Sequence, residues 1–91
     1  MTQNRNRSTP LDLALAGEVR ASIARQRPKK SVSGLASALG IRRATISNRI
    51  NGHIPFSFSE LELVAEYLGT SSIDLLAKAK QQVAESDEVA A

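Results

Sequence analysis

The sequence contains no cysteine and a single histidine, His53. Without cysteine the chain can form neither a disulfide nor a thiolate metal site, and one imidazole cannot assemble a zinc site by itself. We therefore expect no metal and no other cofactor. The absence of cysteine is also compatible with a reducing, intracellular compartment.

Aromatic residues are equally scarce, because Phe56, Phe58 and Tyr67 are the three that occur in 91 residues. A chain of this length forms one small domain, and its core has to be built from Leu, Ile, Val and Ala, a composition that favours helices over strands. We expect the three aromatic residues to be core or packing residues and not a platform for base stacking, because proteins that stack bases present their rings from a sheet or groove.

Acidic residues are rare in the first part of the chain and basic residues are rare in the second. Residues 1–53 hold ten Lys and Arg against two acids, a net charge of +8. Residues 54–91 hold two against seven, a net charge of −5. A polyanion would therefore bind the first part.

The two ends lack the apolar periodicity of a helix. The sequence is thus predicted to divide into a flexible basic arm at residues 1–8, a folded domain at residues 9–84 and a C-terminal tail at residues 85–91. The apolar stretch Leu11–Ala16 is too short for a secretory signal and is interrupted by Asp12. No apolar run approaches the roughly 18 residues of a membrane span, so we expect a cytoplasmic protein without membrane contact.

The first helix is predicted to begin at Thr9 and Pro10. Thr9 can cap it, Pro10 suits the first helical position, and Asp12 lies near the positive end of the helix dipole. Apolar residues then recur every four positions, at Leu11, Leu15, Val19 and Ile23. Pro28 ends the pattern, because the residue before a proline avoids helical geometry.

Two short helices follow. Ser31 is predicted to cap a helix over Val32–Leu39, which Gly40 ends in left-handed geometry. After one more residue the next helical pattern covers Arg43–Ile50 and stops at Asn51. Two short helices joined by a tight glycine turn must cross steeply, which is the helix-turn-helix geometry.

A fourth and a fifth helix complete the pattern. After a loop at residues 53–58, the segment Ser59–Glu62 matches a capping box and predicts the start of the fourth helix, and Ser71–Asp74 predicts the start of the fifth. The inward faces are predicted at Leu61, Val64, Ala65 and Leu68, and at Ile73 and Leu76. The predicted fold class is all-α, a compact domain of five helices.

The segment Leu35–Gly52, with the sequence LASALGIRRATISNRING, resembles the Cro/lambda-repressor type of helix-turn-helix. Leu-Ala, Leu-Gly-aliphatic, Thr-Ile-Ser and Asn-Gly recur in that family, and the likeness extends over roughly residues 9–80. The resemblance implies a lambda-repressor-like, XRE-like domain whose partner is a double-stranded DNA operator. It also implies a phage Cro-like protein or compact repressor, which would act in the bacterial host cell.

Three residues depart from the family pattern. Val32 stands where members often have a Gln that touches phosphate and braces a recognition side chain. Arg42 replaces the usual small polar cap of the recognition helix. Arg49 occupies a position that is often apolar, and we expect it to lean toward solvent or a backbone phosphate.

The third predicted helix has the dimensions to enter the major groove, where each base pair shows a distinct pattern of donors and acceptors. Arg43 could hold guanine O6 and N7, Asn48 could pair with an adenine edge, and the Ala44 methyl group could contact thymine. Ser47 lies on the flank of this face. Two cations at a helix N-terminus oppose the dipole, so the fold alone would not select Arg42 and Arg43.

Contacts to phosphate or to the minor groove are expected to be more diffuse. The candidates are Arg5, Arg7, Ser31, Arg42, Thr45, Arg49, Asn51 and His53. Arg5 and Arg7 could follow the backbone or insert into the minor groove, although an uninvolved tail is an equal alternative. Lys29 and Lys30 are weaker candidates, since a solvated basic face explains them as well.

The main hypothesis is a sequence-specific transcriptional regulator without catalysis or a small-molecule ligand, either monomeric or dimeric through the fifth helix or on DNA. The alternative is an antitoxin-like or anti-repressor-like module, in which the acidic fourth and fifth helices bind a protein and DNA binding is secondary. An enzyme is poorly supported: the segment Gly34–Gly40 lacks the Lys-Ser/Thr of a phosphate loop, and His53 has neither a nucleophile nor an orienting acid near it in sequence.

Overall fold

The computed structural model describes residues 8–90, with side chains up to Ser86. Within that part the chain forms five α-helices and no strand. They are α1 (Pro10–Arg25), α2 (Val32–Leu39), α3 (Arg43–Ile50), α4 (Phe58–Leu68) and α5 (Ser72–Ala90). The predicted all-α fold with five helices is confirmed. None of the helices described here is long and apolar enough to cross a membrane.

The start of α1 is a reciprocal capping box. The Thr9 hydroxyl accepts a hydrogen bond from the Asp12 amide at 3.1 Å, and the Asp12 carboxylate accepts one from the Thr9 amide at 2.9 Å. Both interactions satisfy amides that have no partner inside the helix. The predicted start is therefore correct, and α1 ends at Arg25, before Pro28.

The turn between α2 and α3 also follows the predicted pattern. Ser31 caps α2, since its hydroxyl accepts a hydrogen bond from the Gly34 amide at 2.9 Å. Gly40 ends the helix with φ +71°, a left-handed conformation that suits a residue without Cβ. Its amide donates to the carbonyl groups of Ala36 and Ser37. Because α3 begins at Arg43, the two helices form a helix-turn-helix.

The core is aliphatic. α1 packs against α3, α4 and α5, and α2 packs against α3 and α4. The buried apolar side chains that hold these helices together include Leu15, Val19, Ile23, Leu35, Ile46, Ile50, Leu61, Val64, Leu68, Leu75 and Ala79. The aliphatic core and the inward faces of α1 and α4 are therefore as predicted. Ile46 and Ile50 fix the orientation of α3, since they bury its inner face.

The start of α4 differs from the prediction. The helix begins at Phe58 because Ser57, and not Ser59, is its cap: the Ser57 hydroxyl accepts from the Glu60 amide at 3.1 Å, and Glu60 accepts from the Ser57 amide at 2.9 Å. Two overlapping Ser-x-x-Glu patterns occur here. The earlier one forms because Glu60 also binds Arg49, which fixes its carboxylate beside Ser57.

Two residues predicted to pack inward are exposed. Phe58 is 74% exposed because it stands at the first position of α4, one turn before Leu61 reaches the core. Ile73 is 76% exposed, and the inward face of α5 begins at Leu75 and continues at Ala79. The expectation of burial is therefore wrong for Phe58 and Ile73.

The fifth helix is longer than the predicted domain. Ser71 caps it, because its hydroxyl accepts from the Asp74 amide at 3.0 Å, as the pattern Ser71–Asp74 predicts. The helical backbone then continues to Ala90, through most of the segment 85–91 that was predicted as a tail. The first part of α5 packs against α4, and the helix also packs against α1.

Candidate nucleic-acid interface

The N-terminal tip of α3 carries two exposed cations. Arg42 precedes the helix in an extended conformation, with φ −66° and ψ 147°, and a guanidinium has no acceptor atom with which to cap the helix. Arg42, Arg43 and the adjacent Ala44 are all exposed. Positive charge here opposes the helix dipole and slightly destabilises the helix. The same charge would attract an anionic partner.

The outer face of α3 continues from this tip. Asn48 is exposed one turn after Ala44, and both lie on the side opposite the buried Ile46, whereas Ser47 and Thr45 are half-buried on the flanks. The structure thus places the four predicted base-reading residues on one accessible face. They are Arg43, Ala44, Ser47 and Asn48.

The C-terminal end of α3 is held by two arginines. Arg20 of α1 donates through Nη1 to the Ile50 carbonyl at 2.5 Å. Arg49 donates through Nε and Nη2 to the two carboxylate oxygens of Glu60, at 3.0 and 3.3 Å. These interactions satisfy a carbonyl at the negative end of the dipole and join α3 to the start of α4.

Arg49 therefore does not lean toward solvent, and that expectation is wrong. Its side chain is 19% exposed and that of Glu60 is 22% exposed. Burial by itself would raise the pKa of Glu60, but the hydrogen bonds from Arg49 and Ser57 and the charge of Arg49 outweigh it and hold the pKa below its ordinary value of 4.5. The pair is a structural link between α3 and α4.

The turn after α3 lies beside the beginning of the described chain. Asn51 and His53 are exposed here, and the His53 amide donates to the Asn48 carbonyl at 3.0 Å. The Ser8 hydroxyl donates to the Gly52 carbonyl at 2.7 Å, which fixes the place where the N-terminal arm joins the domain. Arg5 and Arg7 lie outside the described residues.

A basic groove lies between the start of α2 and the start of α3. It encloses about 280 Å³, and its lining includes Arg27, Lys30, Ser31, Ser33 and Arg43. Two of the predicted residues, Ser31 and Arg43, thus face one space. Sequence reasoning did not identify Arg27 as a candidate, because its position in the connection between α1 and α2 indicates only a solvated charge.

Tyr67 of α4 contacts two of the residues that line this groove, Lys30 and Ser31. Its hydroxyl accepts a hydrogen bond from the Ser31 amide at 3.1 Å, and the Lys30 ammonium lies 4.5 Å from the centre of its ring. The hydroxyl also lies against Gly34, where a Cβ would collide with it. Tyr67 was predicted as a packing residue, and nothing in the sequence pattern indicates its contact with the α2 cap.

Comparison with known protein families identifies residues 23–76 as a helix-turn-helix. This match runs from the last residues of α1 to the first part of α5 and covers more than half of the 91 residues. The chain therefore belongs to the helix-turn-helix family, a class of DNA-binding transcriptional regulators, as the sequence resemblance predicts.

Among solved structures, the chain is similar to the crystal structure of the clp gene regulator ClgR from Corynebacterium glutamicum. The TM-score is 0.71 and the sequence identity is 26%, and the superposition covers 87% of this chain and 86% of that chain. No curated protein matches the sequence. The similarity in fold thus extends well beyond the family segment.

Proposed function

We propose that the chain is a sequence-specific regulator of transcription that reads the major groove of double-stranded DNA with α3, as a compact repressor of the Cro type and without a catalytic step. The observation that carries this proposal is the tip of α3, where Arg42 and Arg43 are exposed without a role in capping the helix. The similarity to a structure described as a gene regulator supports the regulatory role.

The exposed face of α3 supplies groups that distinguish base pairs. Its eight residues span roughly 12 Å, which the major groove accommodates. Arg43 donates two parallel hydrogen bonds to guanine, Asn48 pairs with an adenine edge, and the Ala44 methyl group meets a thymine methyl group. Ser47 donates to or accepts from a neighbouring base.

Contacts with the sugar-phosphate backbone surround this face. We assign them to Ser31 at the start of α2, Arg42, Thr45, Asn51 and His53. The basic groove adds Arg27 and Lys30, which stand near Ser31. Arg49 is left out of this set, since its guanidinium is occupied by Glu60.

The N-terminal arm adds two further cations. Because Ser8 is hydrogen-bonded to Gly52, the arm joins the domain two residues after the end of α3. Arg5 and Arg7 precede Ser8 by three residues and one residue, and Ser8 lies on the side of the domain that carries the recognition helix. We propose that they contact the DNA backbone or the minor groove.

Two copies are proposed to bind a palindrome, with half-sites about one helical turn, or 34–36 Å, apart. Among the side chains of α5 that the structure describes, which end at Ser86, Ala79 is the last buried one, and the helical backbone continues to Ala90. This extension provides a surface for a second copy, either before or upon DNA binding.

Arg43→Ala tests the reading role. We expect affinity for the preferred duplex, selected from a random library, to fall by about 5-fold to 150-fold, equivalent to about 1–3 kcal/mol, with relaxed preference at one base pair. Fluorescence anisotropy measures the affinity, and a repeated selection measures the preference. Lys78→Ala removes the same charge from exposed α5 and should change neither. Unchanged affinity and base preference in Arg43→Ala would exclude Arg43 from base reading.

Salt dependence tests the electrostatic part of the proposal. Each neutralised phosphate releases condensed counterions, so the logarithm of the binding constant should fall linearly with the logarithm of salt concentration, by about 0.9 per phosphate contact. We expect Lys30→Ala to reduce the slope by about 1 and to weaken binding to all sequences alike. A flat salt dependence of the wild type would contradict the proposed interface.

A further inference from the structure

A cleft of about 630 Å³ opens between α4 and the start of α5, and DNA reading does not account for it. Besides the buried Ala65, two large apolar side chains line it: Leu63, which is 44% exposed, and Ile73, which is 76% exposed. Glu62 and Glu66 line the same cleft and are also exposed. The cleft thus combines exposed apolar side chains with negatively charged carboxylates.

The fold does not require these apolar residues. The inner face of α4 is formed by Leu61, Val64 and Leu68, and the inner face of α5 begins at Leu75. Single exposed apolar residues are common on protein surfaces, whereas Leu63 and Ile73 share one cleft with a polar border. The cleft is also held in shape, since Ser72 donates to the Glu62 carboxylate at 2.7 Å across it.

The negative charge of the cleft makes it unsuitable for binding DNA. Glu62 and Glu66 repel phosphate, and they belong to the part of the chain with a net charge of −5. A duplex bound to the basic part therefore leaves the cleft open to another molecule. A second copy of this chain is disfavoured as well, because a two-fold contact would place these carboxylates opposite themselves.

We propose that this cleft binds a basic amphipathic segment of another protein. One or two apolar side chains of the segment pack on Leu63 and Ile73, and flanking Lys or Arg residues pair with Glu62 and Glu66. The apolar contact supplies affinity and the charges supply orientation and selectivity. Through this site the regulator would bring a partner to its DNA, although the binding itself is independent of DNA.

A phage-displayed library of random 12-residue peptides, selected on the full chain, tests the proposal. We expect enriched peptides to carry one or two apolar residues flanked by Lys or Arg. A synthetic copy of an enriched peptide should bind at least tenfold more weakly to Leu63→Ser/Ile73→Ser, and also more weakly to Glu66→Lys and at high salt. Phe58→Ser, which removes a side chain that is 74% exposed outside the cleft, should bind the peptide as the wild type does.

Three results would overturn the proposal. They are the enrichment of peptides without basic residues, equal binding of the enriched peptide to Leu63→Ser/Ile73→Ser, and a wild-type dimer in sedimentation that this double variant loses. The last result would assign the cleft to a second copy. DNA affinity is measured on the same variants and should be unchanged, so failure of peptide binding is distinguishable from failure of the DNA-binding proposal.

Discussion

Replacement of Glu60 by Gln isolates the ion pair that joins α3 to α4. Glu60 accepts from both Nε and Nη2 of Arg49 and also closes the capping box with Ser57. Gln at this position keeps the capping box, since its amide oxygen can still accept from the Ser57 amide. The variant therefore removes the charge that Arg49 needs while it leaves the start of α4 in place.

The expected loss follows from the exposure of the pair. Fully exposed ion pairs contribute about 0.2–1 kcal/mol, and hydrogen bonds to charged groups contribute about 1.5–3 kcal/mol when water is excluded. With side chains 19% and 22% exposed and two hydrogen bonds, we expect Glu60→Gln to lower the free energy of unfolding by about 1 kcal/mol. For a domain of this size, that change lowers Tm by roughly 4–8 °C.

The pH dependence provides a second signature. Because the pKa of Glu60 is lower in the folded chain than in the unfolded chain, its contribution is fully present above about pH 4.5 and is lost as the pH falls through the folded-state value. The difference in Tm between wild type and Glu60→Gln should therefore be largest near pH 7 and should close at the acidic end.

Thermal unfolding followed by circular dichroism at pH 7 and at pH 3 measures both quantities. Glu66→Gln provides the matched control, because Glu66 lies exposed on the same helix, and we expect it to change stability by less than about 0.5 kcal/mol. The reasoning is refuted if Glu60→Gln and Glu66→Gln unfold at the same temperature at pH 7. It is equally refuted if the deficit of Glu60→Gln persists undiminished at pH 3.

Two further predictions concern the elements that position the DNA-binding face. Gly40→Ala should destabilise the fold by about 1–2 kcal/mol in urea unfolding, because Gly40 has φ +71°. Gly17→Ala, inside α1, should instead stabilise the fold by up to about 1 kcal/mol. Equal effects of the two substitutions would contradict the role of the left-handed turn. Tyr67→Phe should lower the free energy of unfolding by about 1 kcal/mol and weaken DNA binding, because it removes the acceptor for the Ser31 amide. Unchanged DNA affinity, measured by fluorescence anisotropy, would show that Tyr67 does not position α2 for binding.

Local signals in the sequence predict most of the fold. The Thr9 cap, the Ser31 cap and the left-handed Gly40 depend on residues within a few positions of one another, and all three occur as predicted. The start of α4 differs from the prediction, because Ser57 and Ser59 both fit the local pattern. Arg49, eleven positions before Glu60, forms the contact that only the tertiary structure reveals.

Periodicity predicts which face of a helix is apolar, but it does not show where the core ends. Phe58 and Ile73 stand in the first turns of α4 and α5, before those helices reach the packed interior, so both are exposed although both are apolar. The same limit applies to the candidate interface. The exposed tip of α3 follows from the motif, whereas the groove that joins Arg27 to Arg43 requires residues sixteen positions apart to meet in space.

The two ends of α3 differ in their contacts with the rest of the domain, and this difference bears on the function of the helix. At the C-terminal end, Arg20 binds the Ile50 carbonyl and Arg49 binds Glu60, so the helix is fixed to α1 and α4. At the N-terminal end, Arg42 takes the cap position without the ability to cap, and its charge opposes the dipole. A helix selected only for stability would have an acceptor or an acid there. The polar contacts that hold α3 to its neighbours are thus concentrated at the C-terminal end, and this arrangement supports our proposal that the basic N-terminal tip meets an anionic duplex.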